Sequence, residues 1–395
     1  MSVLVVGESR MYIGEDGKYY KVSINNEHYA RYYQFSEKIN LLMRTEKIDN
    51  DSKKGMNIID LKNLNVISCP SIMSFKMLLK NYFKVHRIIE ENVKNNEFIV
   101  VKGPGLFCNI ATKYARKYKK PYFAELGGCP FDGYWNHGIS GKLMAPYMFF
   151  STRKLMRNAS HALYVTKYFL EKRYPTNGKY INCSNVTLES QKESVLDKRL
   201  EKINETNLKK ITLCTIADID VKFKGQQYII KAIPEIKKRL GIDITYVLIG
   251  RGKKDYLEKV AKDNNVEKNV VFLGSKKHNE VFEELGKIDI YVQPSRQEGL
   301  PRAVIEAMSC GVPAFGANTA GIPELIDKEY IFSNTNRNIE EIVKIISLMN
   351  DKEILKKLAI ENYKKAKDYD FDVLKARREN IYNDFIIEVR NEKKD

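Results

Sequence analysis

"QPSRQEGLPRAVIEAMSCGVPAFGANTAGIPELI", residues 293–326, holds three glutamates, four glycines and four prolines. The apolar run "DIYVQP" (289–294) reads as a strand that ends at Pro294, with a loop to Leu300. Pro301 suits the first position of a helix, where its missing N–H would have no partner anyway. The helix runs to about Cys310, Gly311 ends it, and Pro313 prevents its continuation. "VPAFG" (312–316) is the next strand, and the loop "ANTAG" leads to a further helix near "IPELI". Two helix amino-termini therefore open at one sheet edge, and such ends attract anions. Glu298 stands beside one of them, and a carboxylate accepts hydrogen bonds from hydroxyls but repels phosphate. Glu306 lies well over a turn further on, so the two acids serve different parts of a ligand. A nucleotide-sugar, with a central anion and hydroxyls at both ends, fits that layout. An ordinary strand–helix turn with surface glutamates fits the spacing as well.

The same alternation extends outward. "ITLCTIA" (211–217), "ITYVLIG" (244–250) and "NVVFLG" (269–274) read as strands, separated by helical segments at 225–240, 254–265 and 279–287. In the first half "VLVVG" (3–7), "INLLMR" (39–44), "NVIS" (65–68), "FIVVKG" (98–103), "PYFAE" (121–125) and "ALYVT" (162–166) read likewise, with helix-length stretches at 71–95 and 109–118. Alternating strands and helices predict an α/β class with parallel sheets covered on both faces. Two such sheets in tandem enclose a cleft, with ligands at the carboxyl ends of the strands. The charged segment 190–210 marks the boundary, giving domains 1–205 and 206–370. A charged helix over 371–395, with Leu374, Ile381, Tyr382 and Phe385 at helical spacing, packs back on the first domain.

The 395 residues are 43% hydrophobic, enough for substantial cores. No apolar run is long enough to span a bilayer, and "MSVLVVG" reads as a strand rather than a leader, so a cytoplasmic location is expected. The six cysteines form no CxxC pair and the five histidines no ligand spacing, so neither disulfides nor a metal site is signalled. The net charge is +17, with 32 Lys and Arg against 18 Asp and Glu in residues 1–200. That field favours phosphates or anionic lipid, although a solvated lysine surface gives the same count.

The 293–326 stretch resembles the signature of the retaining family 4 glycosyltransferases, EG-x-P-x4-EAM-x-x-G-x-P followed by G-[IV]-x-E. Glu298, Gly299, Pro301, Glu306, Ala307, Met308, Gly311, Pro313, Gly321 and Glu324 all match. The resemblance implies the GT-B fold, two Rossmann-like domains facing each other across a deep cleft. It implies metal-independent transfer from a nucleoside diphosphate-sugar, UDP or GDP, with no cofactor. By the same resemblance Glu298 contacts the transferred sugar, Glu306 the ribose, and Lys224 of "KFKGQQYIIKAI" the diphosphate. Gly250 and Gly252 of "LIGRGKK" line the donor cleft, Gly274 and Ser275 of "VFLGS" bracket the base, and Gly299 and Leu300 complete the donor loop. The family carries an arginine about six residues before the lysine, where this chain has Asp218. Lys222, Arg251 and Arg302 are the cations that can replace it, and Arg302 is equally suited to an i, i+4 pair with Glu306.

By the same resemblance the first half is expected to supply the acceptor side. "ELGGCPFDGYWNHG" (125–138) follows a strand and offers Glu125, Asp132, Trp135 and His137; Glu125 stands nearest the family's histidine, and His137 reads equally as a backbone-bonded loop residue. The loop "ESRMYIGEDGK" (8–18) brings Arg10 and Gly14 toward the phosphates. Lys76, Lys80, Lys84 and Arg87 line one side of a helix interleaved with Phe75, Met77, Leu78, Leu79, Tyr82 and Phe83, and 142–159 adds apolar and basic residues. This suits an anionic membrane surface and a glycan or lipid-linked acceptor, and equally a solvated face over a core stripe. No nucleic-acid motif is present. A nucleotide-sugar epimerase of the same fold and a non-catalytic polyanion-binding protein are the rival readings.

Overall fold

The computed structural model describes residues 2–391 other than 23, 54, 191 and 336, and leaves the side chain of Phe75 outside the description. Residues 392–395 of the expected terminal helix, Gln191 of the expected boundary segment and the Phe75 side chain of the basic helix thus lie outside the described residues. Two compact units divide the chain, Met1–Cys183 with Ala376–Asp395, and Ser184–Lys375.

The strands of the first unit are β1 (Val3–Ile13), β2 (Tyr19–Lys21), β3 (Ile39–Lys47), β4 (Asn57–Ile59), β5 (Leu64–Cys69), β6 (Phe98–Gly103), β7 (Phe123–Leu126), β8 (His161–Tyr164) and β9 (Lys179–Asn182). Seven run parallel in the spatial order β5-β3-β1-β6-β7-β8-β9. The order reverses between β1 and β6, which makes a switch point at their carboxyl ends. Val3 to Val6 and Phe98 to Val101 are fully buried, as expected for central strands covered on both faces. The helices are α1 (Asn26–Ala30), α2 (Phe75–Asn95), α3 (Leu106–Lys117), α4 (Pro130–Trp135), α5 (Gly138–Arg157) and α6 (Phe169–Arg173).

Two expectations for this unit change. Residues 8–13 are not a loop: β1 resumes its pairing with β3 at Arg10 after a register irregularity, then turns through Gly14–Lys18 into β2. Met11 is fully buried on one side of the extension, and Tyr12 and Ile13 suit a strand. Residues 127–138 hold only a short loop, because Pro130 starts a helical turn at once.

The second unit contains β10 (Lys210–Ile216), β11 (Asp243–Ile249), β12 (Val270–Gly274), β13 (Ile290–Gln293), β14 (Ala314–Ala317) and β15 (Ile331–Phe332). All pairs are parallel, in the order β12-β11-β10-β13-β14-β15, and the switch point falls between β10 and β13. Its helices are α7 (Glu193–Glu205), α8 (Gln226–Leu240), α9 (Asp255–Asp263), α10 (His278–Lys287), α11 (Arg302–Ser309), α12 (Ile322–Leu325), α13 (Asn338–Met349) and α14 (Lys352–Ala366).

The segment expected at the boundary is largely α7, and it packs inside the second unit. Its buried Arg199 donates to the carbonyls of Ile288 at 2.7 Å, Leu285 at 2.5 Å and Cys310 at 3.3 Å. The division therefore falls at Ser184, upstream of residue 206. The last helix, α15 (Phe371–Asn391), carries Tyr382 and Phe385 into the first unit. Both are fully buried, and Tyr382 lies 4.6 Å from Phe35 and 5.1 Å from Phe123 between ring centroids.

Candidate active site

The loops that follow β10, β11, β12, β13 and β14 all leave the carboxyl edge of the second sheet, and they hold the residues expected at the donor. Gly225 shows why the lysine sits where it does. At φ 80° it occupies the left-handed region, and a Cβ there would lie 1.9 Å from the carbonyl oxygen of Pro294. Only glycine lets the turn after β10 touch the loop after β13. Arg296 N–H then donates to Phe223 O at 2.7 Å and fastens the two loops. Lys224 and Glu298 meet across this seam, with Nζ 2.7 Å from Oε1.

Glu298 is anchored from beneath. Gln293 Nε2 donates to its Oε1 at 3.1 Å and to Ser295 Oγ at 2.8 Å, and Tyr291 hydroxyl donates to Gln293 Oε1 at 2.7 Å. Tyr291, Gln293 and Ser295 are buried, so this chain of polar groups is satisfied internally. Sequence reasoning missed Tyr291 and Gln293 as supports, although their period-2 spacing on β13 puts both on one sheet face.

Glu306 lies on α11 and accepts no side-chain hydrogen bond among the described residues. Burial raises its carboxyl above the usual range, against the charges of Arg302 and His278. Arg302 is exposed and acts through space, with no ion pair to Glu306 within 4 Å among the described residues. Pro301 caps α11 instead of opening it, so the helix starts one residue later than expected, and the first free amides belong to Arg302 and its successors. The second expected helix end is too short to act as a dipole: α12 has four residues. Its Gly321 N–H is already committed to Gly299 O at 2.9 Å.

Gly250 and Gly252 shape the turn after β11. A Cβ on Gly250 would lie 1.9 Å from Ala217 O, and one on Gly252 2.5 Å from the Asp220 carboxylate. In this turn Arg251 Nε lies 3.0 Å from Asp218 Oδ1, and Ile219 N–H donates to Arg251 O at 2.9 Å. The position lacking the family's arginine is thus the one that holds Arg251. Lys222 sits over the Tyr256 ring at 4.8 Å, Leu300 is buried, and Gly274 and Ser275 are exposed where β12 ends.

The expected acceptor residues scatter over the first unit. Arg10 pairs with Glu46 at 3.2 Å in strand, and Gly14 lies in the turn between β1 and β2. Asp132 pairs with Arg173 at 3.4 Å, and Trp135 stacks on Phe131 at 5.3 Å, half exposed. His137 is exposed at the start of α5. Glu125 is buried and accepts from Tyr32 hydroxyl at 3.1 Å and from Tyr382 hydroxyl. Burial pushes its carboxyl up, but Arg31 and Lys102 outweigh that and hold it below the usual range. Tyr32, Arg31 and Lys102 carried no motif in the sequence.

Comparisons with known proteins bear on the family and the fold. The family model described as glycosyl transferases group 1 matches residues 197–366. Protein CapJ of Staphylococcus aureus is 30% identical over 386 residues, 93% of this chain and 94% of that protein. The amylovoran biosynthesis glycosyltransferase AmsK of Erwinia amylovora is 29% identical over 154 residues, 37% of this chain and 36% of that one. Among solved structures, Anabaena Alr3699/HepE in complex with UDP superposes with a TM-score of 0.64 at 15% identity, covering 97% of this chain and all of that one. The same protein has been crystallised with UDP-glucose. The chain has the GT-B fold of these structures.

Proposed function

Since the chain belongs to the glycosyl transferases group 1 family, whose family 4 members are retaining enzymes, we propose that it moves a sugar from a nucleoside diphosphate to a glycan or lipid-linked acceptor in surface polysaccharide synthesis. The carrying observation is the seam at the β10/β13 switch point, where Lys224 and Glu298 meet 2.7 Å apart beside the start of α11. Lys224 and the free amides of α11 receive the charge that grows on the departing diphosphate. Glu298 orients the hexose and Glu306 the ribose, so that the donor is held for reaction. The bond from the anomeric carbon to the diphosphate oxygen breaks as the acceptor oxygen attacks on the same face. The acceptor's proton passes to the departing phosphate oxygen, which balances the step without a protein nucleophile. The two glutamates are therefore positioning groups, unlike the flanking acid/base pair of a glycosidase. Arg251 is the second cation on the diphosphate. UDP, the nucleotide held by HepE, is the first donor to test, and GDP the second.

The finer reading places the first unit on an anionic membrane surface. The buried stripe of α2 is Val85, Ile89 and Val93, yet Leu79 and Phe83 point outward, Phe83 with 83% exposure. On α5 Ile139 and Leu143 are 82% and 79% exposed. Lys76, Lys80, Lys84 and Lys142 are exposed beside them. Apolar groups to enter the headgroup layer and lysines to meet its phosphates are the two parts such binding needs. Among the described residues no helix is long and apolar enough to cross a membrane.

The test is a transfer assay with UDP- and GDP-sugars and a lipid-linked acceptor, with product stereochemistry read by NMR. An acceptor-dependent product that keeps the donor's anomeric configuration supports the reading. A sugar product formed equally well without acceptor indicates an epimerase and contradicts it.

A further inference from the structure

The first unit has its own switch point, between β1 and β6, and cations from several elements collect there. Lys102 near the end of β6 is in register with Gly7 of β1 and Glu125 of β7. Its ammonium hydrogen-bonds His28 and lies 5.7 Å and 5.5 Å from the ring centroids of Tyr29 and Tyr32. Arg31 reaches the same imidazole at 2.7 Å and lies over the Tyr32 ring at 5.4 Å. Lys21 of β2, 4% exposed, donates to Ser9 Oγ at 2.7 Å and Arg10 O at 2.5 Å. Arg378 of α15 donates to Cys183 Sγ at 3.2 Å, and its charge acts on Lys102 and His28.

The acceptors of Lys102 and Lys21 are an imidazole, a hydroxyl and a carbonyl, all neutral. Glu125 is a carboxylate whose charge acts on both Arg31 and Lys102, and it is already bonded by the Tyr32 and Tyr382 hydroxyls. The other buried carboxylate at this switch point, Glu8, caps Leu106 N–H at 2.8 Å and faces Arg44. Among the described residues Lys102 and Lys21 thus have neutral acceptors only, and a buried ammonium is costly without a counter-ion. The titrations agree: burial, then Arg31, lowers Lys102 to about 7; burial, then Arg44, lowers Lys21 to about 8; and burial holds His28 well below its usual value. A switch point in a parallel α/β sheet is also where ligands of this fold class sit.

We propose that this cluster, built on Lys102, Lys21, His28 and Arg31, binds the diphosphate group of an anionic acceptor. A diphosphate carries enough negative charge to balance the surplus, and its oxygens can accept from ammonium and guanidinium groups at once. Calling the anion an acceptor's rests on the glycosyltransferase reading; the anion site itself does not, because the donor residues all lie in the second unit.

Calorimetric titration of the full chain at pH 7.5 with inorganic pyrophosphate and with farnesyl diphosphate tests this, in two buffers of different ionisation heat. The expected result is binding with net proton uptake, as the anion draws Lys102 and His28 into their charged forms. Lys102→Gln should weaken both probes at least tenfold and reduce the uptake, with UDP binding unchanged within twofold. The titrations are run with UDP saturating the donor side, so that the pyrophosphate binding that remains is that of the cluster in the first unit. Tighter binding of farnesyl diphosphate assigns the anion to a lipid, and equal affinity assigns recognition to the diphosphate alone; either supports the site. No binding of either probe, or binding indifferent to Lys102→Gln, overturns it. If that variant fails to fold, Lys21→Gln carries the same comparison. Failure of the wild-type chain to bind any nucleoside diphosphate would instead count against the glycosyltransferase reading and leave the anion result standing.

Discussion

Lys224 Nζ lies 2.7 Å from Glu298 Oε1, a contact between residues 74 positions apart that closes the edge of the second sheet at its switch point. The pair joins the group expected at the diphosphate to the group expected at the sugar. A donor must draw Lys224 from Glu298 while presenting hydroxyls to the carboxylate in exchange.

The two residues should therefore respond differently to substitution. Lys224→Ala should weaken nucleoside diphosphate binding about 10–100-fold, the worth of a hydrogen bond between charged groups. Glu298→Gln should leave UDP or GDP binding unchanged or slightly tighter, because the lysine is released, while transfer falls about 100-fold or more. Calorimetry on the nucleotide and an initial-rate assay with the sugar nucleotide separate the two outcomes.

Arg251 should carry a function displaced from the position of Asp218. Arg251→Ala should lower nucleoside diphosphate affinity about tenfold, one charged hydrogen bond at the lower end of its range. Asp218→Arg in that background should restore most of the loss, by returning the cation to the position where the family carries it. Titration of the three proteins with UDP or GDP checks this, and a double variant no better than Arg251→Ala would count against it.

The lowered Lys102 ammonium predicts how stability depends on pH. Below about 7 Lys102 is charged in both folded and unfolded chains, and the full cost of burying it is present. Between about 7 and its ordinary value of 10.5 the unfolded chain binds more protons than the folded one, so stability rises with pH. Lys102→Met should flatten that rise and raise Tm at pH 6.5, each kcal/mol being worth about 2–4 °C in a unit of this size. Thermal melts from pH 6 to 9 compare the two.

The outward residues of α2 and α5 should govern lipid binding. Replacing Lys76, Lys80 and Lys84 by Gln should cost about 1 kcal/mol each, roughly 100-fold together, on vesicles containing phosphatidylserine. Phe83→Ser with Leu143→Ser should weaken binding on the same vesicles with less change in its salt dependence. Vesicle sedimentation at two salt concentrations resolves the charged from the apolar part.

Much of the second unit was legible because its chemistry is local. Pro301, Gly311 and Pro313 punctuate α11 within a few residues, and the eleven strands marked by apolar runs begin within a few residues of them, whereas the short edge strands β2, β4, β9 and β15 carried no such run. What stayed hidden depends on contacts distant in sequence. The continuation of β1 past Gly7 is decided by pairing with β3 and β2, not by the polar "ESR" that suggested a loop. The place of α7 is decided by Arg199 reaching carbonyls up to 111 residues away. The cluster around Lys102 draws on β2, α1 and the turn after it, β6, β7 and α15, and its cations belong to no motif. Glu125 looked like a loop acid after a strand, whereas tyrosines from either end of the first unit bury it.

The most direct test concerns the ribose. The wild-type chain and Glu306→Ala should be titrated with UDP and with 2′,3′-dideoxy-UDP, or with the GDP pair if GDP is the nucleotide bound. If the carboxyl edge of β10 and β13 holds the donor as described, the wild-type chain prefers the hydroxylated nucleotide by about 10–100-fold, and Glu306→Ala loses that preference. An equal preference in both proteins, or none in the wild type, would contradict the assignment of Glu306 to the ribose and with it the orientation of the donor.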